Sequence, residues 1–299
     1  MLPCRLQLRG FRIRPNRQKE GRGLRSRRQG TSSGETKSVA AVGREVKSET
    51  GADEMPDPKL PQDVRPPHLL SSKKYRLTQI PLAESCFFCL SYPQLEKHLI
   101  VSIGNESYLT IAKGALTSPA STLPFSSHIL IIPLTHSPTI SGITDEDSRA
   151  STLEEMTSYR LSIEKMLAEK SYGAVTFEVS RASGVHSHWQ LIPVPAPMLP
   201  SVQAAFEEQA AADKLPPFQN EDPPGDYFKL WISGDEAPPP LSLPLEQGRY
   251  FDLQFGRRVL AGLLGSTSAH WKDCVKSVEE ETRDAAAFRA AFKPFDQNL

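Results

Sequence analysis

The run His186-Ser-His188-Trp-Gln190-Leu-Ile-Pro193 sets two histidines and a glutamine at alternate positions of an otherwise largely apolar stretch. In an extended strand, residues two apart point the same way. The spacing therefore predicts a strand over about 185–193. His186, His188 and Gln190 would share one face, and Val185, Ser187, Trp189 and Leu191 the other, with Trp189 in the core. Three side chains carrying nitrogen or oxygen in a row are costly to bury without partners. They point to a site, for metal, for catalysis or for both.

The flanking sequence supplies the rest of a sheet. Leu99–Ile103 and Tyr108–Ala112 flank Gly104-Asn105, a hairpin signal. His128–Ile132 reads as a buried strand that stops at Pro133, and Ala174–Phe177 as another. Between them, Thr144-Asp-Glu-Asp precedes a stretch over about 146–170. Its Leu153, Met156, Ile163, Met166 and Leu167 keep helical spacing. Strands with one long helix among them predict an α+β sheet domain. Pro193-Val-Pro195-Ala-Pro197 reads as a boundary. Beyond it a smaller α+β region is expected. It has a helix over 198–214, a proline-rich stretch, a short helix over Arg257–Leu264 and a final helix from Ser277. Ser277 and Glu280 have capping-box spacing, and Val278, Ala285, Phe288 and Phe292 supply a core face. No internal repeat is present.

The chain has 299 residues, 38% of them hydrophobic, with 26 prolines and zero net charge. The charge average hides a basic start: residues 1–30 hold ten Arg or Lys against one acid, Glu20. Residues 1–75 lack periodicity and read as a basic arm and linker outside any packed core, folded sequence beginning near Lys74. The arm fits a nuclear-localisation or RNA-contacting patch, a mitochondrial presequence or a solvated tail. No run reaches the roughly 20 apolar residues of a membrane helix, and no secretory signal follows Met1. With Cys4, Cys86, Cys89 and Cys274 forming no disulfide framework, a reducing compartment is expected.

In that setting Cys86-Phe-Phe-Cys89 is a metal or redox signal. Two thiolates in one tight turn can grip a zinc ion and leave two tetrahedral positions open. His136, after the strand that ends at Pro133, and His186 are candidates for those positions. The gaps are longer than a zinc-finger template, and the alternative is two buried structural cysteines with unrelated histidines. His188, two residues past His186, can attack phosphorus as a neutral imidazole if an acceptor orients its other nitrogen. Gln190 can hold a phosphate oxygen, Ser183 and the backbone at Gly184 can cradle it, and Arg181 can add a cation.

These residues resemble the histidine-triad (HIT) superfamily, and within it the branch of galactose-1-phosphate uridylyltransferase, which has H-x-H-x-Q. The resemblance places Cys86, Cys89, His136 and His186 on zinc positions. It places His188 on the nucleophile, and Ser183 and Gln190 on phosphate contacts. The chain more closely resembles the CwfJ family of splicing-associated, HIT-like proteins. The segments that carry this are Cys86–Gly104, Leu109–Gly114, His128–Pro133, Gln190–Pro195, Tyr250–Arg257, Trp271–Cys274, Glu279–Glu281 and Phe292–Asp296. On this likeness, 76–197 is a first, HIT-like CwfJ domain with an antiparallel sheet and helices, and 198–299 a second. Longer members carry an N-terminal metallophosphoesterase-like domain, which is not expected here. Ser118–Ser127 reads as an insertion between strands.

The resemblance implies a nuclear factor of pre-mRNA splicing and intron-lariat turnover, with zinc in a structural role. It would bind RNA or a nucleotide end, spliceosomal proteins and the lariat-debranching enzyme, and no membrane. Its second implication is an active HIT-type nucleotidyl hydrolase or transferase using His188. The basic start alone would fit a mitochondrial nucleotide-metabolising enzyme.

Overall fold

Seven antiparallel strands form one sheet in the order β1-β2-β3-β5-β4-β6-β7. The computed structural model describes residues 85–117, 122–234, 238–266 and 268–297. The arm 1–75, the start near Lys74 and residues 118–121 of the expected insertion lie outside these. The strands are β1 (Ile100–Ile103), β2 (Ser107–Ile111), β3 (Ile129–Pro133), β4 (Tyr172–Ser180), β5 (Trp189–Pro195), β6 (Tyr227–Ile232) and β7 (Leu241–Pro244). Among the described residues four α-helices accompany them: α1 (Glu146–Ala168), α2 (Val202–Ala212), α3 (Phe255–Leu263) and α4 (Val278–Phe292). The α+β class is as the sequence predicts, and the antiparallel sheet as the HIT likeness implies. No described helix is long and apolar enough to cross a membrane.

Alternation along the central strands sorts the core into two layers. On one side Leu109, Ile111, Ile129, Ile131, Trp189 and Leu191 pack with α1 and α4. On the other, Val175, Phe177, Ile192, Val194, Phe228 and Leu243 pack with α2 and α3. The motif strand begins later than expected, at Trp189, so His186 and His188 lie in the segment that leads into β5. β6 and β7 arise within the stretch that composition marks as proline-rich. Tyr227–Ile232 alternates half-buried and buried residues, as a strand covered on one face must. Through its pairing with β4, the sheet runs on past the proline boundary.

Two apolar positions expected in the core are not there. Leu153 is 45% exposed, because Thr152, Met156, Tyr159 and Ile163 form the inward stripe of α1. Val278 is 53% exposed, one turn beyond the edge of the core, and Glu281 takes the inward place. The capping box at Ser277 forms as expected. Of the insertion, Leu123 and Phe125 are buried, with Phe125 edge-on to Phe288 at 5.4 Å.

Glu155 of α1 grips the β1–β2 turn. Its carboxylate accepts from the backbone N–H groups of Asn105 (2.9 Å), Glu106 (3.1 Å) and Ser107 (2.7 Å), and from Ser107 Oγ (2.7 Å). Gly104 permits this approach, since a Cβ there would lie 2.3 Å from Glu155 Oε1. Glu155→Ala is expected to lower unfolding free energy by about 2 kcal/mol in urea titrations. Leu153→Ala, on the solvent side of the same helix, should cost less than about 0.5 kcal/mol.

Candidate functional site

A tight turn places the two sulfurs of Cys86-Phe-Phe-Cys89 together, with Cys89 N–H donating to Cys86 O at 3.0 Å. Tyr108 of β2 holds the turn from below by donating its hydroxyl to Phe88 O at 2.6 Å. His136 follows β3, and His186 precedes β5. The two segments are tied where Ser187 N–H donates to Ser137 O at 2.7 Å. The ligand atoms of Cys86, Cys89, His136 and His186 all lie within 4.8 Å of one another. Individual approaches are 3.5 Å from Cys86 Sγ to His186 Nδ1 and 3.2 Å from Cys89 Sγ to His136 Nδ1. Among the described residues Cys86, Cys89 and Cys274 are free cysteines.

The donor set fits a metal ion. His186 Nε2 lies 3.0 Å from Pro133 O, which can only accept, so Nε2 carries the proton and Nδ1 turns its lone pair to the sulfurs. Burial lowers His186 to about 4, keeping the ring neutral. Burial and then the neighbouring Cys86 push Cys89 up to about 12. The Cys89 thiol thus resists ionisation alone, and a divalent cation at the cluster would remove that penalty.

His188 stands apart from this cluster. Its Nδ1 lies 3.1 Å from the His186 carbonyl, which makes Nδ1–H the donor and leaves the Nε2 lone pair free. Burial lowers its pKa from the ordinary value. Phe88 packs against the ring at 4.6 Å between centroids. Gln190, on β5, accepts at Oε1 from His128 Nε2 at 3.2 Å. Ser183 is exposed in the Arg181–Gly184 turn. Arg181 pairs with Asp226, Nε to Oδ2, at 3.4 Å. Among the described residues no hydrogen bond joins Ser183 or Arg181 to His188 or Gln190. Trp189 is core, donating to Glu178 Oε2 at 2.7 Å.

His128 and Arg257 belong to the neighbourhood without a local sequence signal. His128 is fully buried just before β3, and Arg257 of α3 donates from Nη1 to its Nδ1 at 2.9 Å. The one available cue is position: His128 lies two residues before Leu130, which faces Gln190 in the sheet.

Two family models match this sequence. "Protein similar to CwfJ C-terminal" covers residues 73–207, and "Protein similar to CwfJ C-terminus 2" covers 210–297. The chain belongs to the CwfJ family. Among its relatives, the CWF19-like protein mug161 of Schizosaccharomyces pombe is 38% identical over 218 residues, covering 71% of this chain and 38% of that protein. The CWF19-like protein DRN1 of Saccharomyces cerevisiae is 31% identical over 244 residues, covering 73% and 47%. Zinc finger CCCH domain-containing protein 64 of Arabidopsis thaliana is 32% identical over 237 residues, covering 75% and 38%. This CwfJ-family chain thus spans less than half the length of each. The two matched stretches meet structurally, because β6 of the second pairs with β4 of the first.

Burial, and next the Arg257 charge, lower His128 from 6.5 to about 3. The unfolded residue protonates below pH 6.5 while the folded one stays neutral, so His128 favours the unfolded chain as pH falls through that window. Glu178, raised to about 7 by burial, acts in the opposite sense. His128→Asn is therefore expected to flatten the acid-side loss of stability relative to wild type. The expected difference approaches about 1.4 kcal/mol per pH unit below pH 6, measured by denaturant titration across pH.

Proposed function

We propose that this chain acts in pre-mRNA splicing and intron-lariat turnover in the nucleus, as a binder of RNA or nucleotide ends. The observation that carries the reading is the division of labour along residues 186–190. His186 turns its Nδ1 into a cluster with Cys86, Cys89 and His136, while His188 and Gln190 keep polar atoms free of it. Zinc suits the thiolate and imidazole set, held by Cys86, Cys89, His136 and His186 in a structural role. When bound it would tie the first turn to the segments around β3 and β5. His188 Nε2 and the Gln190 amide then face a phosphate, with Ser183 at the turn and Arg181 as a nearby cation. Membership in the CwfJ family supports spliceosomal proteins and the lariat-debranching enzyme as partners, and a nuclear over a mitochondrial location.

A second reading follows from the His188 tautomer. A neutral ring oriented by a carbonyl at Nδ1 presents the lone pair that an attack on phosphorus needs. In that reading a nitrogen–phosphorus bond forms at Nε2 as the bond to the leaving oxygen breaks, and the nucleotidyl group then passes from Nε2 to water (hydrolase) or to an acceptor hydroxyl (transferase), which loses its proton. The chain would then be a nucleotidyl hydrolase or transferase.

Metal analysis of the purified chain is expected to find about one zinc, and Cys86→Ser to lose most of it. Unchanged zinc in that variant would overturn the ligand set. Mononucleotide, dinucleotide and adenylated RNA substrates separate the two readings. Turnover abolished by His188→Ala establishes the enzyme, whereas binding without turnover leaves the RNA-binding role. In binding assays His188→Ala and Gln190→Ala are each expected to weaken RNA-end affinity about tenfold without altering zinc content.

A further inference from the structure

Four of the segments singled out in the sequence meet at one guanidinium. Arg257 ends Tyr250–Arg257 and is 3% exposed. Its Nη2 donates to Gly114 O at 3.0 Å, closing Leu109–Gly114 onto it. Its Nη1 donates to His128 Nδ1 at 2.9 Å, at the head of His128–Pro133. Cys274, which ends Trp271–Cys274, brings its sulfur to 3.7 Å from Nη2, and Nε donates to Ala269 O at 2.9 Å. Among the described residues none of these donors reaches a carboxylate. A buried cation without an acid partner is costly to take out of water. Its cost calls for a return elsewhere.

The hydrogen-bond chemistry leaves His128 a single state. Leu116 N–H also donates to His128 Nδ1, at 3.2 Å. A backbone N–H and an arginine N–H can only donate, so Nδ1 has no proton and Nε2 must carry it. Gln190 must then face His128 with Oε1, because its NH2 cannot accept. The glutamine amide cannot flip, and its two Nε2 hydrogens point to no acceptor among the described residues. Gly114 supports the arrangement. It has φ +62°, and a Cβ there would lie 2.0 Å from Trp271 O, so only glycine lets this loop turn its carbonyl to Arg257.

We propose that Arg257, contributed by the second matched stretch, is a positioning residue for the phosphate-facing site of the first. By donating to His128 it fixes Gln190 with its NH2 offered outward as a directional donor to a phosphate oxygen of RNA or a nucleotide. The ligand class rests on the function proposed above, whereas the Arg257–His128–Gln190 coupling rests on the contacts alone. A purely structural arginine would only satisfy carbonyls. The distinguishing property is control of the imidazole tautomer and of Gln190.

Histidine-selective nitrogen NMR on the full chain reads the tautomer without ligand, with His128→Asn assigning the signal. Wild type is expected to show His128 as the Nε2–H form, with no titration near 6.5. An Nδ1–H form, or titration there, overturns the proposal. Arg257→Lys keeps a charge but not the fork. With the Leu116 N–H as the remaining fixed donor on Nδ1, a second tautomer is expected to appear beside the first, and an oligoribonucleotide with a terminal phosphate to bind roughly tenfold more weakly, at unchanged metal content. Lower thermal stability with tautomer and affinity unchanged overturns the proposal. If Arg257→Lys does not fold, Gln190→Glu carries the binding test. The carboxylate still accepts from His128 but cannot donate, so affinity should fall at least about tenfold, and unchanged affinity overturns the idea. Absence of oligoribonucleotide binding by wild type sinks the nucleotide reading. The coupling is then supported or overturned by the tautomer alone.

Discussion

The register of β5 between β3 and β4 determines which layer each side chain of residues 189–195 enters. Leu130 lies opposite Gln190 on one side and Phe177 on the other. A slip of one residue would send Gln190 into the layer that holds Trp189 and Leu191, and drive Trp189 towards α2 and α3. Two buried layers of aromatic and branched residues hold against that slip. The placement of one amide is thus enforced by the packing of a whole domain. The segment just before the strand has no ladder of its own and is held instead by Ser187 N–H on Ser137 O and His186 on Pro133 O.

Backbone groups, whose donor or acceptor character never changes, write the protonation pattern of the site. Carbonyls at Pro133 and His186 set the rings of His186 and His188, and the Leu116 N–H helps to set His128. Three imidazoles within a short reach of one another therefore hold three defined orientations. Their neutrality has a common physical origin in burial, with the Arg257 charge the next cause at His128.

How much of this the sequence reveals depends on the range of each interaction. Period-two alternation exposes β3 and β5, and two-residue spacing exposes the Cys86–Cys89 turn, because both patterns complete themselves within a few residues. The grouping of Cys86, Cys89, His136 and His186 is legible through resemblance, and its convergence is a property of the fold. Arg257 meeting His128 across 129 residues has no local pattern to betray it. β6 and β7 hide for a different reason: each is short and framed by prolines that read as linker. Leu153 and Val278 show the limit of helical spacing, which gives the phase of a stripe but not where the core ends along it.

The strand order also has a consequence for the chain as it leaves the ribosome. Residues 86–186 contain all four side chains of the Cys86, Cys89, His136 and His186 cluster, so that cluster can assemble while the second stretch is still being made. β4, however, is bordered by β5 on one side and by β6 on the other. Until Tyr227–Ile232 emerges, a nine-residue strand presents an unpaired edge next to a bare apolar face. Such an edge is a template for pairing with another nascent chain. The second stretch is then, before anything else, the intramolecular cover that keeps the first from finding a partner of its own kind.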